Sequence, residues 1–165
     1  MAIVYLSIGS NMGDRLANLQ QITSRLSLHE KIDLIQTSSF YETEPWGKKN
    51  QPWFLNAVLQ LKTSLSPYEL LDVCMDIETA LGRNREAEER WGERAADVDI
   101  LFYDKEIISD EKLKIPHIYL HERAFVLVPL LEIAPNFVHP VFQKTTEQLY
   151  DDLKSPEEVF LYGTV

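Results

Sequence analysis

Two aspartates spaced one residue apart, Asp97 and Asp99, open the apolar run of the segment "RWGERAADVDILFY". On a strand, residues two apart share a face, so the two carboxylates stand side by side while Val98 and Ile100 face the other way. Paired carboxylates repel each other and lose solvation when partly buried, unless a cation compensates. Oxygen donors of this kind suit magnesium, which keeps several waters and shares its remaining positions with phosphates. The competing reading is a solvated strand end carrying ordinary surface ion pairs.

The basic residues just upstream favour the metal. Arg83, Arg85, Arg90 and Arg94 crowd into residues 83–94, interleaved with Glu86, Glu88, Glu89 and Glu93. Exposed pairs of this sort contribute little to stability, so a charged solvent loop is the plain alternative to an anion site. Trp91 sits among them, and a tryptophan in a polar loop either packs on the core or stacks on a planar ligand. His117 and His121 are four apart, but Pro116 and the missing H-E-x-x-H glutamate argue against zinc. His117 and Arg123 can instead donate to an anion. The loop 42–52 carries Trp46, and Trp53, Phe54 and Asn56 follow it. Such aromatics either fill the core or sandwich a flat heterocycle whose edge the amide reads. "GSNMGD" lacks the features of a nucleotide-binding glycine loop and reads as a structural turn. His29 and His139 read as surface or turn residues, and Cys74 as core packing.

Elements must hold these residues in place. Residues 2–8, 32–41, 53–61 and 97–103 read as strands. A first helix carries Leu16, Leu19, Ile22 and Leu26 at helical spacing. The second is sharper: Ser66 caps it, Pro67 suits its first position and Glu69 completes a capping box. Leu70, Leu71, Cys74, Ile77 and Leu81 then line one face, and Gly82 ends it. Beyond the fourth strand, "ERAFVLVPLLEIAP" and "TTEQLYDDL" read as helical, the first interrupted by Pro129. The order β-α-β-β-α-β predicts an α+β, ferredoxin-like antiparallel sheet with helices packed on one face and a C-terminal extension.

The chain of 165 residues, 45% hydrophobic and 25% charged, is sized for a single domain spanning 1–165. A net charge of −10 argues against sequence-independent nucleic-acid binding, though not against a small phosphorylated ligand. No apolar run approaches a membrane span, the start lacks the marks of a signal peptide, and the lone cysteine fits a reducing, cytoplasmic setting.

"RWGERAADVDILFY", with "PHIYLHERAFVLVPLLEIAPNFVHP" downstream and "GSNMGD", "SSFYETEP" and "FLNAV" upstream in the right order, resembles the 6-hydroxymethyl-7,8-dihydropterin pyrophosphokinase family of folate biosynthesis. The resemblance extends to about residue 140. It implies transfer of the terminal diphosphate of ATP to the pterin hydroxymethyl group, with AMP released. It further implies that Asp97 and Asp99 hold two Mg2+ ions, with Arg83 and Arg94 in the catalytic set. Glu78, Arg85, Trp91, Ile100, Lys112, His117 and Arg123 match positions around ATP. Thr43, Pro45, Trp46, Phe54, Asn56 and Phe125 match the pterin side, the two phenylalanines stacking on its faces. Glu93 stands where the family usually has proline, one extra acid lengthens the loop before Arg90, and Lys112 and Lys114 replace an arginine and a threonine of some members. The expected partners are the two small-molecule substrates, to a monomeric chain. Two other readings compete: a non-catalytic ligand-binding module, and a magnesium-dependent phosphohydrolase built on the same aspartates.

Overall fold

The computed structural model describes residues 1–45, 50–82 and 94–163. Its elements run β1 (Ala2–Ser10), α1 (Arg15–Ser27), β2 (Ile32–Thr37), β3 (Phe40–Thr43), β4 (Phe54–Thr63), α2 (Pro67–Ala80) and β5 (Asp97–Tyr103). There follow a small hairpin of β6 (Ile108–Ser109) and β7 (Lys114–Ile115), a 3-10 turn at Leu120–Glu122, α3 (Ala124–Ile133), α4 (Thr146–Asp151) and β8 (Val159–Gly163). The main sheet has the order β5-β1-β4-β3-β8, with β2 also on β4, and its pairings are antiparallel. This is the split βαβ arrangement expected from the element order, extended at one edge by β8.

Local sequence explains most of the boundaries. The Asp14 carboxylate accepts from Ala17 N–H at 3.1 Å and starts α1. Ser66 and Glu69 form the reciprocal capping box at α2, with Pro67 just inside it. Gly82, at φ +97°, ends that helix in the left-handed region.

Four expectations need correction. The strand foreseen over 32–41 breaks in two, because Ser38 bonds Val58 through both its N–H and its hydroxyl, while Ser39 N–H turns to Glu132. Pro129 does not interrupt α3, since Val126, Leu127 and Leu130 on either side are buried and hold the helix against the sheet. The lost N–H at Pro129 is the local cost of that arrangement. Helices also cover both faces rather than one. Val4, Leu6 and Ile8 face α1 and α2 with Leu19, Ile22, Leu70 and Cys74. Tyr5, Val58, Leu101 and Phe102 face Val126, Leu127 and Leu130 of α3 and Leu149 of α4. Finally, His139 is not a surface residue; it is 3% exposed.

Candidate active site

Strand register assembles the site. Gly9 of β1 pairs with Asp97 on one side and Asn56 on the other, and Asn56 pairs in turn with Tyr41. Ser7 pairs with Asp99, and Thr43 with Phe54. Directly paired residues share a face, so Asp97, Asp99, Phe54, Asn56 and Thr43 all lie on the α3 side of the sheet. Two interstrand spacings separate Asp97 from Asn56, roughly 10 Å. Gly9 lies between them, and any Cβ there would sit 2.7 Å from Asn56 Oδ1 and 3.6 Å from Phe54. Its bare backbone opens a gap between an acidic end and an amide-aromatic end.

At the acidic end, Arg94 Nη1 lies 3.7 Å from Asp97 Oδ2, and His117 Nε2 lies 3.9 Å from Asp99 Oδ2. His117 Nδ1 accepts from Tyr119 N–H at 3.2 Å, which leaves the proton of a neutral ring on Nε2, toward Asp99. Burial, then the nearby Arg123 charge, push this histidine down to about 4, against an opposing pull from Asp97. The ring is therefore neutral near pH 7, and its approach to Asp99 is not an ion pair. Arg123, 7% exposed, lies over the Tyr119 ring at 4.9 Å and over the Phe125 ring at 5.4 Å. Burial lowers its pKa, while Asp99 and Asp97 act in the other direction. A cleft of about 330 Å³ runs beside Asp99, lined among others by Val98, Ile100, Lys112, Lys114 and His117.

At the other end, the Asn56 amide is 3% exposed and donates through Nδ2 to Thr43 Oγ1 at 2.8 Å. That bond orients the amide. Phe54 and Phe125 are half-buried rather than core residues, and Pro45 is buried. Trp53 fills neither the core nor this end: it stacks on Phe160 with ring centroids 5.8 Å apart.

Glu78 is 1% exposed and lies on the opposite face, where Oε2 accepts Val98 N–H at 2.8 Å. It holds β5 between the two aspartates. Ile100, 4% exposed, belongs to the core layer and backs the cleft. His121 does not join His117; its ring meets Phe142 at 4.7 Å. Arg83, Arg85, Trp91, Glu93 and Trp46 fall outside the described residues.

Sequence reading missed two residues in the "GSNMGD" segment. One is Gly9. The other is Asn11, 1% exposed, whose Oδ1 accepts Arg94 N–H at 2.7 Å while Nδ2 donates to Gln51 Oε1 at 3.1 Å and Pro52 O at 2.9 Å. One side chain thus ties the ends of both loops. The sequence signal was an Asn in the turn that follows the first strand.

Among the described residues no group of three or more His, Cys, Asp or Glu side chains could by itself hold a metal ion. Asp97 and Asp99 offer oxygen donors alone, on one face. That set fits magnesium if phosphate and water complete its shell, and fits zinc poorly.

Fold and site together define an α+β domain with a carboxylate pair and arginines at one end of a rung and an amide with aromatic rings at the other. Residues 5–135 match the model of the 7,8-dihydro-6-hydroxymethylpterin-pyrophosphokinase (HPPK) family. A 2-amino-4-hydroxy-6-hydroxymethyldihydropteridine pyrophosphokinase of Methylorubrum extorquens is 49% identical over 138 residues, 84% of this chain and 86% of its own length. The Bacillus subtilis protein of the same name is 44% identical, over 88% of this chain and 86% of its own. The folic acid synthesis protein fol1 of Schizosaccharomyces pombe is 42% identical over 98% of this chain but only 22% of its own length. In fold, the chain is similar to the crystal structure of Plasmodium falciparum HPPK-DHPS, wild type with SDX-DHP. The TM-score is 0.69 at 18% identity, over 92% of this chain and 43% of that one. The chain belongs to the 7,8-dihydro-6-hydroxymethylpterin-pyrophosphokinase family.

Proposed function

We propose that this chain transfers diphosphate from ATP to 6-hydroxymethyl-7,8-dihydropterin, giving the pterin methyl diphosphate and AMP in folate biosynthesis. Family membership supports the reaction, and one observation supports the site: Asp97 and Asn56 flank Gly9 on a single rung of the sheet.

The Asn56 amide, oriented by Thr43, reads the polar edge of the pterin, while Phe54 and Phe125 stack on its faces. Pro45 borders that end, and the family resemblance adds Trp46, which lies outside the described residues. The hydroxymethyl group then points across the Gly9 gap. Arg94 and Arg123 hold the phosphates; the family resemblance adds Arg83 and Arg85, which lie outside the described residues. The neutral His117 donates from Nε2 to a phosphate oxygen, and Ile100 and Lys112 bound the nucleotide; the family resemblance adds Trp91, outside the described residues. Glu78 acts beneath β5, fixing the spacing of the aspartates. Asp97 and Asp99 would hold magnesium, two ions in this reading. Bound magnesium supplies charge neutralisation on the phosphates and a more electrophilic phosphorus.

The pterin hydroxyl oxygen attacks the β-phosphorus in line, a new O–P bond forms, and the bond from that phosphorus to the α-phosphate oxygen breaks. AMP leaves with the electron pair, and the hydroxyl proton passes to solvent. The protein contributes positioning and electrostatic stabilisation, which dominate in phosphoryl-type transfer.

Incubation with ATP, magnesium and the pterin, with nucleotides separated afterwards, tests the reading. AMP that forms only with the pterin is expected. Pterin-independent hydrolysis would favour the phosphohydrolase, and absence of turnover the binding module.

A further inference from the structure

The first turn of α3 carries Phe125 two residues after Arg123, the two residues placed at the pterin and phosphate ends. Yet this turn is poorly fixed by its own sequence. Arg123 occupies the N-cap without a side-chain cap hydrogen bond. The Phe125 N–H belongs to the orphan donors of a helix start, and Pro129, four residues on, has no N–H to give the Phe125 carbonyl. The N–H is taken from outside: Glu157 Oε1 accepts it at 3.0 Å, from 32 residues down the chain. Glu157 lies beyond residues 5–135, in the extension that ends in β8.

The same extension supports the facing wall. Phe160 of β8 stacks on Trp53, the neighbour of Phe54. Arg15 donates to Trp53 O at 3.0 Å, pairs with Glu42 at 2.7 Å and lies over Tyr162 at 5.8 Å. β8 itself pairs with β3 through Thr43 and Val159.

We infer that Glu157 is a positioning residue for the pterin site: its carboxylate, brought by the C-terminal segment, fixes the first turn of α3 and so the angle of the Phe125 ring. The inference rests on the function proposed above. A carboxylate accepting an otherwise orphaned N–H makes a charge-assisted bond, stronger than a neutral one and favourable at a helix start.

Glu157→Ala and Glu157→Gln in the full chain test it, by steady-state kinetics and by amide exchange of Phe125. Loss of the acceptor in Glu157→Ala should raise the pterin KM about tenfold, with kcat and the ATP KM changed by less than about threefold. Glu157→Gln keeps an accepting oxygen and should recover most of that loss. Phe125 amide exchange should accelerate in the alanine variant and return toward the parent rate in the glutamine variant. An unchanged pterin KM in Glu157→Ala would overturn the inference, as would a glutamine variant no better than alanine. A variant with slower turnover but parental KM values would point to a merely structural part and also overturn it. Failure of the proposed function is seen separately, as a parent chain that makes no pterin-dependent AMP.

Discussion

At the scale of single residues, the site depends as much on an absent side chain as on those present. Gly9 separates Asp97 from Asn56, and a methyl group there meets Asn56 Oδ1 at 2.7 Å. Asn56 has little freedom to retreat, because Nδ2 is committed to Thr43 Oγ1 at 2.8 Å in a buried bond. Gly9→Ala is therefore expected to cost about 1–3 kcal/mol, measured by urea unfolding, as an overpacked site. The pterin KM should rise more than the ATP KM, since the displaced group is the amide. Asp97 and Asp99 were legible as a pair because period-two spacing is a local property of a strand. Gly9 was not, because its importance comes from two partners more than forty residues away in sequence.

At the scale of elements, Asn11 joins three pieces of chain: the end of β1, Arg94 ahead of β5, and residues 51–52 ahead of β4. Asn11→Ala leaves the Arg94 N–H without that acceptor and should lower stability by about 1–3 kcal/mol. If the segments before β4 and β5 are held through this side chain, both KM values rise together in Asn11→Ala. A rise in only one would mean that the two loop ends are fixed independently. The caps of α2 and the alternation of Asp97 and Asp99 with Val98 and Ile100 in β5 could be read directly, since each rests on neighbours within a few residues. The break at Ser38 could not. It depends on Val58 and on Glu132, which accepts from Ser39 N–H, Ser39 Oγ and Tyr41 O–H; the latter bond, after burial, helps push the tyrosine up to about 12. The continuity of α3 through Pro129 was hidden for the same reason, as was β8, which exists through its pairing with β3.

At the scale of the whole molecule, a chain of net charge −10 binds a polyanion only where arginines reverse the field locally. The same balance of burial and charge shapes acid stability. His139 Nδ1 accepts from Val141 N–H at 3.1 Å and Phe142 N–H at 3.2 Å, so protonation would set a donor against two donors. Burial, with His121 adding to it, pushes His139 down to about 4. The unfolded chain takes up this proton near its ordinary value of 6.5, the folded chain only at about 4. This contribution is complete above pH 6.5, declines as pH falls, and is gone below about 4. Urea unfolding between pH 7 and 4 should lose on the order of 2 kcal/mol through this residue, and His139→Gln should flatten that part of the slope. The proposed function requires the donor and acceptor ends to be separable, with Asp97 acting on the phosphates and not on the pterin. The most direct measurement is AMP formation by Asp97→Ala, with pterin binding followed in parallel and the fold checked by circular dichroism. Turnover should fall by at least about a hundredfold while pterin affinity and fold persist. Near-normal AMP production by that variant would contradict the account.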